Sequence, residues 1–179
     1  MKRFYPSAVL GLLLCVGLPA SSAPPAADDK PTFIAADGPD VLKGLKDVGV
    51  AVERFPQDFL TPALTMDAVK TDVELKLKQN GLHVLPVAEA QTARVPVLSI
   101  NLNGFKAING LFVYNINLFL KEDVAPTRTK SLVVTGAVVW QREFVGATGE
   151  LNLPAVRTDI KEDIDTFLND YRAANQIKP

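Results

Sequence analysis

Cysteine, histidine and tryptophan each occur once, as Cys15, His83 and Trp140. Cys15 lies in an N-terminal apolar run that reads as a cleavable leader, so the exported chain has no thiol. Disulfides, thiol catalysis and cysteine-ligated metals are thereby excluded. A lone His83 cannot by itself build a histidine metal site. Charge of one sign is also lacking: 19 bases face 20 acids, a formal net charge of −1, which gives no electrostatic reason to expect nucleic acid or anionic lipid. No glycine-rich loop cradles a phosphate. The sequence therefore implies no cofactor and no metal, and it names no reaction.

What is present first reports an address. Lys2 and Arg3 form a positive start, Ala8 to Leu18 is an apolar stretch, and Ala20-Ser21-Ser22 offers small residues to a signal peptidase, with the cut between Ser22 and Ala23. The apolar stretch is too short to span a bilayer and is flanked by Pro6 and Pro19, so no transmembrane helix is expected in the mature chain. Cys15 opens a lipoprotein alternative, but Leu14 places a large residue where a lipoprotein signal wants a small one. Residues 23–40, rich in Pro, Ala and Asp, suit an extended tether. A single domain is expected over 41–176, since what remains is enough for one core and too little for two.

Within that domain, Val48, Val50 and Val52 alternate with Gly49, Ala51 and Glu53, the period of a strand. Thr61-Pro62 offers a helix cap followed by proline at the first helical position. Met66, Val69, Val73 and Leu77 then recur at helical spacing up to Asn80-Gly81, predicting a helix from Pro62 to Asn80. Leu64, Ala68 and Leu75 point nearly opposite to that stripe. The plain reading places Leu64 in the incoming loop and rests Leu75 on a neighbouring element; the sharper one is a groove for a partner. Leu82 to Pro86 is a short strand, and Val87 to Ala93 reads as a connecting loop.

Two longer strands follow. Leu98, Ile100 and Leu102 alternate with Ser99, Asn101 and Asn103; Tyr114, Ile116, Leu118 and Leu120 alternate with Asn115 and Asn117. Each is the pattern of a strand buried on one face. A two-residue Asn109-Gly110 loop would set the asparagines of one strand beside the leucines of the next, a frustrated register. A three-residue loop with Gly110 in the left-handed position pairs Ala107 with Leu111 and aligns both apolar faces. It also sets Asn103 opposite Asn115 and Asn101 opposite Asn117, gathering four carboxamides on one face with Phe105, Leu111, Val113 and Phe119 around them.

Lys121 to Thr129 reads as a solvated loop. Ser131 to Val145 is a valine-rich strand with a bend at Gly136 and an anchor at Trp140, interrupted by Gly146 to Asn152. Pro154 opens a final helix whose Val156, Ile160, Ile164, Phe167 and Tyr171 form the strongest periodic signal in the chain. The order β-α-β-β-β-β-α predicts an α+β two-layer sandwich, a mainly antiparallel sheet with both helices on one face. The opposite face, carrying the asparagines, is then uncovered. Its amides donate and accept, and its rim buries apolar surface, which makes a platform for an extended ligand or partner. The plain alternative is an ordinary polar sheet face.

The helix closing as Leu75-Lys76-Leu77-Lys78-Gln79-Asn80-Gly81-Leu82-His83-Val84-Leu85, with strands such as Val95-Pro96-Val97-Leu98-Ser99-Ile100 and Gly136-Ala137-Val138-Val139-Trp140, resembles small domains of the Gram-negative envelope. These are the penicillin-binding-protein activator and curli-secretion lipoproteins and the auxiliary lipoproteins of lipid-export systems. The resemblance covers most of Val48 to Ala174 and implies a periplasmic, non-enzymatic domain that recruits or assists another envelope protein. It carries no catalytic residues over.

Catalytic chemistry finds little footing. His83 alternates with Leu82 and Val84 and reads as a structural or surface histidine. Ser99 and Ser131 lack a nucleophile-elbow context. Glu53 interrupts an apolar strand; it points to water, or is a raised-pKa acid if its face is buried. Asp159, Glu162, Asp163 and Asp165 read as a solvated helix face, without the spacing of a calcium loop. Two functions follow: an envelope interaction domain using the asparagine face, or a small-molecule binder or weak hydrolase with a pocket near His83 and Glu53.

Overall fold

The computed structural model describes residues 38–129 and 133–177. The leader, nearly all of the tether and Ser131 lie outside the described residues. The elements are β1 (Asp47–Arg54), α1 (Met66–Gln79), β2 (His83–Leu85), α2 (Val87–Thr92), β3 (Val97–Lys106), β4 (Phe112–Val124), β5 (Val134–Thr148) and α3 (Ala155–Asn175). They form an α+β fold around one five-stranded sheet, ordered β2-β1-β3-β4-β5. β1 runs parallel to β2 and β3, while the two longest ladders, β3–β4 and β4–β5, are antiparallel.

The period-two pattern places the core. Val48, Val50, Leu98, Ile100, Leu102, Ile116, Leu118 and Leu120 are buried on one face, against Val69, Val73 and Leu77 of α1 and Val156, Ile160, Ile164, Phe167 and Tyr171 of α3. Trp140 closes this layer at β5, its ring edge-to-face with Phe167 at 5.0 Å and its indole N–H donating to Asp170 at 3.0 Å. The face turned toward α1 and α3 is called inner below.

Several local expectations are corrected. The helix cap is Thr65, whose hydroxyl accepts from the Ala68 amide at 3.1 Å, and not Thr61. Thr61-Pro62-Ala63-Leu64 instead closes a turn, with the Leu64 amide bonded to both the Thr61 carbonyl and the Thr61 hydroxyl. Proline at its second position presets that turn as well as it would a helix start. Leu64 is thus buried in the incoming turn while Leu75 is exposed on α1, so the pair forms no continuous second stripe; Met66 is exposed as well. Lys121 continues β4, which runs on to Val124, and β5 passes through Gly146 to Thr148. Gly146 stays in the strand because the Tyr114 ring lies across it; a Cβ there would fall 2.5 Å from Cζ.

The segment from Val87, read as a loop, is the helix α2, and it lies on the face opposite α1 and α3. A Cβ on Gly49 would meet the Ala90 Cβ at 2.8 Å, so the bare backbone of β1 is what lets α2 dock there. That outer face is therefore covered at one end.

The acidic face of α3 is also not uniformly solvated. Asp163 is buried with Arg142 of β5 at 2.7 Å, and Asp159 accepts from the Tyr114 hydroxyl at 2.5 Å. Asp165 pairs with Lys76 of α1 at 2.5 Å. With Asp170, which accepts from Trp140, three α3 carboxylates take donors from β4 and β5. Burial and this carboxylate push the Tyr114 hydroxyl pKa up.

Candidate functional site

The hairpin holds the register that aligns its apolar faces. The Gly110 amide donates to the Ala107 carbonyl at 2.9 Å and the Ala107 amide to the Leu111 carbonyl at 2.7 Å, with Gly110 at φ +82°. Asn103 then pairs with Asn115, Asn101 with Asn117 and Phe105 with Val113. Continuing into β5, the outer face is a set of three-residue rungs: Phe105–Val113–Ala147, Asn103–Asn115–Val145, Asn101–Asn117–Glu143 and Ser99–Phe119–Gln141.

The four amides are not equivalent. Asn103 is exposed, Asn101 and Asn115 are half-buried, and Asn117 is buried. The Asn117 amide donates to the Asn115 oxygen. Asn101 donates to Glu53 Oε2 at 3.1 Å. Of the apolar set, Phe105 is 62% exposed and Leu111 borders the loop at 39%, whereas Val113 and Phe119 are half-buried. Phe119 lies three rungs in from Phe105, inside the face and not at its rim.

Past Asn101 the face turns charged. Lys121 Nζ lies 2.5 Å from Glu53 Oε1. That hydrogen bond, aided by those from Ser99 and Asn101 and opposed by partial burial, holds the Glu53 carboxyl below its ordinary range. The raised-pKa reading of Glu53 is thus reversed. Because its folded pKa is depressed, the ion pair stabilises the fold above the unfolded pKa, and that stabilisation fades as pH falls through the folded value. Lys121→Met is expected to move the Glu53 titration up toward an ordinary glutamate, followed by NMR of the side-chain carboxyl; an unmoved titration contradicts the assignment.

Between α2 and this charged end runs an open groove of about 490 Å³, lined among others by Glu53, Ser99, Lys121, Gln91, Arg94 and Asp123. Ser99 is buried in it. His83 is not in its lining: it sits exposed on β2, the edge strand, with Nδ1 2.8 Å from Asp47 Oδ1. A shared pocket of His83 and Glu53 is therefore corrected to a groove holding Glu53 alone of the two, and Ser99 and His83 do not meet there. The groove escaped the sequence reading because α2 did. The available signal was Pro86 followed by Val87 and Ala90 at helical spacing in an Ala-, Glu- and Gln-rich stretch.

No protein-family profile and no curated protein matches the chain. Solved structures are similar to it, three of them as follows. A dodecameric PelC from Paraburkholderia phytofirmans is 18% identical at TM-score 0.45, with 74% of this chain and 94% of that one covered. A minor lipoprotein from Acinetobacter baumannii is 10% identical at TM-score 0.38, covering 72% and 94%. The rare lipoprotein B from Shewanella oneidensis is 12% identical at TM-score 0.32, covering 72% and 95%. Among the described residues, no helix is long and apolar enough to cross a membrane.

Proposed function

We propose that this chain is an exported, non-enzymatic interaction domain of the bacterial cell envelope that docks a protein partner on its outer sheet face. Asn101, Asn103, Asn115 and Asn117 would supply donors and acceptors, and Phe105, Leu111, Val113 and Phe119 the apolar contact. The observation that carries this reading is the Asn103–Asn115 rung: adjacent carboxamides on a face that α1 and α3 leave uncovered, bordered by a largely exposed Phe105. Amides beside an exposed aromatic offer a partner hydrogen bonds and burial together. Export rests on the leader residues Lys2, Arg3 and Ala8 to Leu18 with a cut after Ser22, residues 23–40 serving as tether to a domain over 41–176.

A photoreactive residue at position 115 should capture one defined envelope protein in intact cells. Asn103→Lys is expected to lower that capture at least tenfold, because an unpaired ammonium group would be desolvated in the interface. The thermal midpoint should stay unchanged, since the Asn103 side chain is exposed and does not face the core. Capture at the wild-type level by a folded Asn103→Lys variant sinks this reading.

The groove beside α2 favours a second reading, a small-molecule site. A ligand in the groove should raise the thermal midpoint, and Glu53→Gln should remove that shift while leaving capture from position 115 intact.

A further inference from the structure

The outer face changes polarity along its strands in one direction. At the hairpin end, the rung Phe105–Val113–Ala147 is entirely apolar. Beyond it, at that same end, project Ile108 in the hairpin loop, fully exposed, and Leu151 in the turn after β5, 95% exposed. The next rung, Asn103–Asn115–Val145, carries two amides; the third, Asn101–Asn117–Glu143, adds the first charge. The Glu53–Lys121 pair lies further still from the tip. Rungs are two residues apart, about 7 Å at strand rise, so the amides begin about 7 Å and the charges about 13 Å from the apolar rung.

We propose that this end of the molecule inserts into a lipid surface, with Ile108, Leu151 and Phe105 reaching the acyl boundary and the asparagine rungs lying at headgroup level. Interfacial burial of about 5–10 Å suits that profile. The tip is convex, built from a loop and a turn, and a fluid lipid phase accommodates a projection without a preformed pocket. Charge agrees with a neutral surface. Lys106 at the tip is paired with Glu150 at 2.9 Å, which leaves no excess cation there to select anionic headgroups and no excess anion to be repelled by them. The same pair joins the Leu151 turn to the end of β3 beside the hairpin loop, so both projections leave the same end of the sheet. This inference does not depend on the partner-docking reading. It shares Phe105 and the asparagine rungs with that reading, but its test reads Ile108 and Leu151, which lie outside that set, so the two fail separately.

The test reads position and not bulk binding, so that the apolar leader of the full chain cannot imitate the result. Ile108→Trp and, at the opposite end of β1, Lys46→Trp are compared with the parent chain, whose Trp140 is buried and gives a common background. With phosphatidylcholine vesicles brominated in the acyl chains, fluorescence at position 108 should be quenched several-fold more than at position 46. Adding Leu151→Asp should reduce that quenching at least fivefold. Vesicles containing phosphatidylglycerol, or added salt, should change it less than twofold. Equal quenching at 108 and 46, or quenching indifferent to Leu151→Asp, overturns the proposal. Binding only to the anionic vesicles, lost in salt, overturns it in favour of a charge-driven contact elsewhere.

Discussion

Replacing Ile164 by aspartate is expected to unfold the domain or release α3 from the sheet. Ile164 has no solvent exposure and sits mid-way along the apolar stripe of α3, between Ile160 and Phe167. The change removes roughly 2–3 kcal/mol of apolar burial and places a carboxylate among buried apolar side chains, a penalty of several kcal/mol more. Against a total stability of about 5–15 kcal/mol, such a loss leaves little or no folded population. A circular-dichroism melt should show no cooperative transition near that of the parent. A normal midpoint would contradict the role given to this stripe. Exposed Leu75 on α1 is the contrasting position, where aspartate should shift the midpoint by no more than a degree or two.

That stripe was also the most legible part of the sequence, for a physical reason. Five large side chains at steps of three and four leave no other face for a helix to bury. The β3–β4 register was legible for a related reason: a slip by one residue would set Asn101 and Asn103 among the leucines, so only one loop length keeps the polar side chains out of the core. The start of α1 was not legible, because Thr-Pro serves a turn as well as a helix cap. The choice between Thr61 and Thr65 was made by the tertiary position of Leu64.

The asparagine rungs could be read in advance because they follow from parity alone. The groove beside them could not. It depends on α2, a helix of only six residues, whose apolar period is the single step from Val87 to Ala90. Its docking rests on what Gly49 lacks rather than on any side chain. The acids of α3 depart from the solvated-face expectation for a further reason. Sequence spacing separates an apolar stripe from a charged remainder, but it does not show that the edge strand β5 reaches past the stripe and brings Arg142 against Asp163. A carboxylate beside an apolar stripe reads as solvated until the neighbouring strand is placed.

Arg142→Met should destabilise the domain by about 2–3 kcal/mol, the second largest effect expected here. Asp163 is 3% exposed; its Oδ1 is held by Arg142 at 2.7 Å, and its Oδ2 is buried without a hydrogen-bond partner among the described residues. One oxygen is therefore already desolvated without compensation. Removing the guanidinium strands the other, and a buried charge left alone typically costs about 3–5 kcal/mol. The figure is lower here because the Arg142 side chain is 41% exposed, so water can follow when it is cut back. Removing the acid as well reverses the logic. Arg142→Met with Asp163→Leu leaves no unpaired charge and adds apolar contact between β5 and α3, so the double variant should recover most of the lost stability. Urea denaturation of the parent, both single variants and the double variant closes the cycle, and the coupling should exceed 1 kcal/mol. If Arg142→Met alone changes stability by less than about 0.5 kcal/mol, the pair behaves as an ordinary surface bridge. Adhesion of β5 to α3 would then rest on Trp140 against Phe167.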